Sequence, residues 1–226
     1  MKLIAHRGSA KLAPENSIKA FELAAKEPKF AGIECDIYTT KDGEFVVFHD
    51  LSLNRMVGRK KQIMDLTYEE ISAFTLKSGK NISKFPDLKI PKLSEFLDIC
   101  HKASKIAVIE VKAVHNITQL IDLVNLIDQY ENLQAIIISF NIDYLKFIRA
   151  ISSIELQYLI EKVTNEVIYE ARVNELDLSL KAKIADEKAI KKLRKSNFKL
   201  GVWTVNRQDE LNKFAKLGID YLTTEK

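Results

Sequence analysis

Short apolar runs, rich in β-branched residues, alternate with amphipathic stretches along almost the whole of this 226-residue chain. An alternation of that kind leaves few folds open, because parallel strands joined by helical crossovers must bury both faces of one sheet. Strands are expected at 3–5, 32–38, 45–48, 105–112, 135–140, 156–160, 176–180, 200–205 and 219–222. Helices are expected at 18–25, 93–100, 117–130, 142–151, 164–171, 186–197 and 208–217. Asp42-Gly43 reads as the turn of a hairpin that returns at 45–48. Eight strands separated by helices predict a (β/α)8 TIM barrel, and 46% hydrophobic content suffices for one large core, so residues 1–226 read as a single domain. The rhythm breaks once, from about 51 to 91, where Gly58, Gly79, Pro86 and Pro91 fall. That stretch reads as a small insertion after the second strand, lying over one end of the barrel.

Several of these strands end in polar groups, and barrel enzymes build their sites at the C-terminal strand ends. The first run, Leu3-Ile4-Ala5, delivers His6-Arg7-Gly8, and the second delivers Glu34-Cys35-Asp36, followed by Phe48-His49-Asp50. Side chains alternate along a strand, so Glu34 and Asp36 share one face while Cys35 takes the other. Two carboxylates held together need a cation, and oxygen ligands alone suit Mg²⁺ or Ca²⁺ better than zinc. In Ile109-Glu110-Val111-Lys112 the same spacing places Glu110 and Lys112 on one face, offering a third metal carboxylate and an ammonium for a phosphoryl oxygen. His6 and His49 are suited to opposite proton transfers, whereas His101 and His115 read as histidines that are simply hydrogen-bonded. The constellation points to phosphodiester chemistry with a bound divalent cation.

Charge and composition remove other classes. A formal charge of +4 without a long like-charge block speaks against a nucleic-acid arm, and the cluster Lys191-Lys192-Leu193-Arg194-Lys195 reads as the solvated face of an amphipathic helix. No stretch has the roughly 20 apolar residues of a membrane span. Two cysteines in apolar surroundings and a strand starting right after Met1-Lys2 predict a cytoplasmic protein with reduced thiols.

The ordered set Ile4-Ala5-His6-Arg7-Gly8, Pro14-Glu15-Asn16-Ser17, Gly32-Ile33-Glu34-Cys35-Asp36, Val47-Phe48-His49-Asp50, Ile109-Glu110-Val111-Lys112 and Val202-Trp203-Thr204-Val205-Asn206 resembles the glycerophosphodiester phosphodiesterases over nearly the whole chain. That resemblance implies metal-dependent hydrolysis of a small glycerophosphodiester to glycerol 3-phosphate and an alcohol. It implies His6 and His49 as the acid and base pair, here assigned as His6 base and His49 acid, with Asp50 orienting an imidazole. Glu34, Asp36 and Glu110 become metal ligands and Arg7 and Lys112 phosphate contacts. Glu15 would hold Arg7 or the glycerol hydroxyls, Trp203 would wall the glycerol pocket and Asn206 would support its loop. Two departures stand out. After the eighth strand the chain reads Thr223-Thr224-Glu225-Lys226 where relatives continue with Thr-Asp-Arg-Pro and a closing helix. The expected consequence is a groove between the eighth and first strands, covered by the insertion or by a second subunit in a homodimer. Arg55 also lacks the acid that often precedes it. Three other readings stay open: a related lyase, a phospholipase with an apolar rim formed by Leu76, Ile82, Phe85 and Leu88, or a barrel that only binds glycerophosphodiesters.

Overall fold

The computed structural model describes residues 1–226. In chain order, β1 (Lys2–Ala5), α1 (Ile18–Lys26), β2 (Phe30–Thr39) and β3 (Phe45–Val47) lead into the insertion, which holds the short helices α2 (Asn54–Val57) and α3 (Tyr68–Ser72). The alternation then resumes with α4 (Leu93–Lys102), β4 (Ile106–Ala113), α5 (Gln119–Asp128), β5 (Ala135–Ser139), α6 (Ile142–Ile151) and β6 (Glu155–Ile160). It finishes with α7 (Asn165–Val173), β7 (Asp177–Lys181), α8 (Glu187–Arg194), β8 (Leu200–Trp203), α9 (Gln208–Lys216) and β9 (Tyr221–Thr224). Eight of the nine strands are parallel neighbours, and pairing of β1 with both β9 and β2 closes them into the expected (β/α)8 barrel. β3 is the exception, an antiparallel strand hung on the end of β2 through Ile37–Val47, Tyr38–Val46 and Thr39–Phe45.

Strand alternation sorts the apolar residues into two layers. Outward residues such as Ile33, Cys35, Ile37, Ile109 and Leu222 join the helices in a cluster of 42 buried residues, in which Phe21 of α1 meets Phe96 of α4 edge to face at 4.8 Å. Inward residues Ile4, Ile106, Val108, Ile136, Ile138, Leu159 and Tyr221 fill the barrel itself. Gly32 is required on that inner face, since a Cβ there would lie 2.7 Å from the Ile106 carbonyl oxygen and 2.8 Å from Ile4 Cδ1. Glu34 and Asp36, two and four residues further along, consequently share the interior with Ile4 and are buried, while Cys35 packs outward.

Three readings of the sequence change. The groove expected between the eighth and first barrel strands is not left open at its outward residues, since Ala5 and Leu222 are wholly buried in the outer cluster. The apolar residues proposed for a membrane rim are largely packed. Leu76 is buried in the insertion's own cluster of 11, and Ile82 and Leu88 pack against it, with Leu53, Met56, Ile63 and Ile71 at its centre. The last strand begins at Tyr221 and not at 219. Ile219 N–H and Gly218 N–H close α9 onto Phe214 and Ala215 carbonyls, with Gly218 at φ 70°, so the backbone enters the sheet only afterwards.

Candidate active site

The site is assembled at the C-terminal end of the barrel from residues that follow or end β1, β2, β3, β4 and β8. The β2–β4 register sets Asp36 beside Glu110, and one oxygen each from Glu34, Asp36 and Glu110 lies within 4.8 Å of the others. Each carboxylate commits one oxygen to the protein. Arg7 N–H donates to Glu34 Oε2 at 2.8 Å, Asn16 Nδ2 donates to Asp36 Oδ2 at 2.8 Å, and Lys112 Nζ donates to Glu110 Oε1 at 2.7 Å. The second oxygens take no hydrogen bond, and Asp36 Oδ1 is fully buried without one, 3.6 Å from Lys112 Nζ. Oxygens that share one Mg²⁺ or Ca²⁺ must lie within about 5 Å of one another, so this donor set fits a hard divalent cation.

Electrostatics agree with the geometry. Burial, reinforced by Asp36, pushes Glu34 up to about 7 and Glu110 up to about 8. Burial opposes ionisation of Asp36 as well, but Arg7 and Lys112 outweigh it and hold Asp36 below the usual carboxylate range. Carboxyls pushed up in this way give up their protons readily only to a cation.

Local backbone explains how the turn after β1 reaches Glu34. Arg7 adopts φ 53° and Gly8 φ 77°, and a Cβ on Gly8 would meet the Ala20 backbone at 2.7 Å. The close approach of α1 therefore demands glycine and turns the Arg7 amide onto Glu34. Ser17 caps α1 by accepting from Ala20 N–H, which leaves Asn16, at φ 53°, free to clamp Asp36. Glu15 holds Arg7, as expected, through Arg7 Nη1 at 2.9 Å, and Arg7 Nε lies 3.1 Å from Asp36 Oδ2.

His49 Nδ1 lies 2.7 Å from Asp50 Oδ1, the orienting contact expected. Asp50 is gripped in turn by Arg55, whose Nε donates to Oδ2 at 2.6 Å, while Arg55 Nη2 donates to Glu15 Oε1 at 2.7 Å. One chain of charge thus runs His49, Asp50, Arg55, Glu15, Arg7, Asp36. The Arg55 bond draws Asp50 below its ordinary value; at Glu15, burial is outweighed by Arg55 and Arg7. His6, at the end of β1, faces a cavity of about 30 Å³ with Glu34, Glu110, Trp203, Phe140 and Thr223. Trp203 donates its indole N–H to the Ser179 carbonyl and meets Phe140 edge to face at 5.5 Å. A more open cavity of about 440 Å³ adjoins it, sharing Glu110 and Phe140 and adding Lys112, Asn141 and Ile142.

All nine residues singled out from the sequence lie at this end of the barrel. Sequence reasoning missed three others: Asn16 as the clamp on Asp36, Arg55 as the link between the two halves, and Phe140 as a wall. Asn16 and Arg55 stood beside recognised motifs, whereas Phe140 carried no signal beyond its place after a strand. His101 packs on Tyr130 and His115 Nε2 bonds the Met64 carbonyl, away from the site.

Comparison with known proteins gives the same answer. Residues 6–226 match the Glycerophosphoryl diester phosphodiesterase family. A glycerophosphodiester phosphodiesterase of Caldanaerobacter subterraneus subsp. tengcongensis is 30% identical over 99% of this chain and 93% of its own. An uncharacterized protein of Mycoplasma genitalium is 33% identical over 94% and 89%. Among solved structures, a phosphodiesterase of Oleispira antarctica, in complex with the product sn-glycerol-3-phosphate, has the same fold, with a TM-score of 0.92 at 21% identity over 100% of this chain and 93% of that one. A glycerophosphodiester phosphodiesterase of Parabacteroides distasonis superposes with a TM-score of 0.80 at 26% identity over 99% and 92%. With the family match spanning the site and the barrel alike, this chain belongs to the glycerophosphoryl diester phosphodiesterase family.

Proposed function

We propose that the protein hydrolyses glycerophosphodiesters to sn-glycerol 3-phosphate and an alcohol, with His6 as general base and His49 as general acid. One observation carries this reading: two imidazoles, each with a carboxylate near Nδ1, flank three inward carboxylates that keep an oxygen free. A phosphodiester anion repels nucleophiles, so its oxygens must be neutralised as the transition state forms. Arg7 and Lys112 supply fixed positive charge for them. A Mg²⁺ or Ca²⁺ held by Glu34, Asp36 and Glu110 supplies Lewis-acid neutralisation when bound. His6 takes a proton from the attacking water as its oxygen bonds to phosphorus; burial opposes the imidazolium so formed, and Glu225, with Glu34 and Asp36, outweighs it. His49 gives its proton to the leaving alkoxide as the P–O bond breaks, with Asp50 orienting its ring. Trp203 and Phe140 line the side of the glycerol, and the open cavity beyond Lys112 receives the alcohol. No helix is long and apolar enough to cross a membrane, and two buried free thiols, Cys35 and Cys100, suit the reducing cytoplasm as its compartment.

The test is release of glycerol 3-phosphate from glycerophosphocholine and glycerophosphoethanolamine by metal-stripped protein, with and without added Mg²⁺ or Ca²⁺. Release should require the metal and fall by about 10²–10⁴-fold in His49→Ala. No release from either ester with either metal overturns the proposal.

A further inference from the structure

We propose that Glu225 is the positioning residue of His6: its carboxylate stands behind Nδ1 and leaves Nε2 as the nitrogen that works on substrate. The inference rests on the proposed function, in which His6 moves a proton. Three observations carry it. First, His6 Nδ1 is buried and has no hydrogen-bond partner, and an orphaned buried ring nitrogen is costly unless something nearby completes it. Glu225 Oε1 lies 3.6 Å away, just beyond hydrogen-bond reach. Second, the segment that bears Glu225 is fastened in place. His6 N–H donates to the Thr224 carbonyl at 2.9 Å, while Glu225 N–H donates to Asn206 Oδ1 at 2.9 Å and Thr224 Oγ1 to the same oxygen at 3.3 Å. Asn206, at the end of the Trp203 motif, thereby secures the residue that faces His6. Third, the arrangement repeats that of His49, where Asp50 holds Nδ1 at 2.7 Å and Arg55 holds Asp50. Glu225 thus stands to His6 as Asp50 stands to His49, with Asn206 fixing the Glu225 backbone N–H where Arg55 grips the Asp50 carboxylate. The Glu225 side chain is 34% exposed, so it has room to close the remaining gap, and such contacts commonly tighten only around substrate. Glu34, Asp36 and Arg7 are the other charged groups near the ring.

Glu225→Ala should lower kcat roughly 10-fold or more with KM changed by less than about 3-fold, the mark of an interaction used in the transition state. Glu225→Asp should restore most of the rate, and Asn206→Ala should reproduce a weaker form of the loss. Long-range ¹H–¹⁵N spectra of the His6 ring in the full chain supply a readout independent of turnover: the proton sits on Nδ1 in the native protein and no longer prefers it in Glu225→Ala. Native kcat in Glu225→Ala, or an unchanged ring spectrum, overturns the proposal. Should the native chain release no glycerol 3-phosphate, the function proposed above fails, and the ring spectra still decide whether Glu225 holds His6. If Glu225→Ala proves unfolded by circular dichroism, the isosteric Glu225→Gln and Asn206→Ala decide instead: a native rate and an unchanged spectrum in both overturn it.

Discussion

The three inward carboxylates sit where like charges and burial oppose ionisation, and their titration has a sign that experiment can check. Glu34 at about 7 and Glu110 at about 8 hold protons in the folded, metal-free protein that the unfolded chain has already released near pH 4.5. The folded state therefore binds more protons between those limits, and this pair's contribution to stability falls as pH rises from about 4.5 to about 8. A cation must displace the same protons. Titration with Ca²⁺ or Mg²⁺ at pH 6, in two buffers of different ionisation enthalpy, should release more than one proton per site and bind more weakly than at pH 8. Equal affinity at both pH values would contradict this account. Arg55 makes the second residue-scale claim. It joins Asp50 to Glu15 at the surface, where ion pairs add little stability, yet it orients the carboxylate behind His49. Arg55→Ala should cost about 10-fold or more in kcat with the melting temperature almost unchanged; the opposite pattern, a large loss of stability with native turnover, would make Arg55 structural.

At the scale of elements, the join between β1 and α1 does most to place the site, because the connection over 6–17 aims Arg7 at Glu34, Glu15 at Arg7 and Asn16 at Asp36. Ser17 begins the helix and fixes where that connection stops, accepting from Ala20 N–H and donating to the Pro14 carbonyl at 2.6 Å. Ser17→Ala should cost about 1 kcal/mol in urea unfolding, with KM and kcat moving as well, since the clamp on Asp36 loosens with the cap. Ser17 and Asn16 are both of the types that cap helices. That Ser17 serves, and Asn16 turns instead to a buried carboxylate, depended on where β2 lay.

Across the whole molecule the apolar residues divide into a barrel core, an outer layer under the helices and a separate cluster in the insertion. The insertion cluster holds 11 buried residues against 42 in the outer layer, and Tyr38, Val46 and Phe48 tie it to the sheet. A smaller cluster opens at lower free energy, so amides of 53–76 should exchange with solvent well before those of β2 and β4; protection as strong as that of β2 would show one cooperative unit. The barrel, its strand order and the inward facing of Glu34, Asp36, Glu110 and Lys112 were determined by sequence alone. They follow from local periodicity, and periodicity in a strand decides which face a side chain takes. The tertiary structure decided what no local pattern contains: that Arg55 reaches Glu15 forty residues away, that Asn206 and Glu225 meet behind His6, and that Ala5 and Leu222 are buried on the side left open in expectation. Those contacts depend on the packing of elements distant in the chain, and only ring closure, with β1 against β9, brings His6 to Glu225.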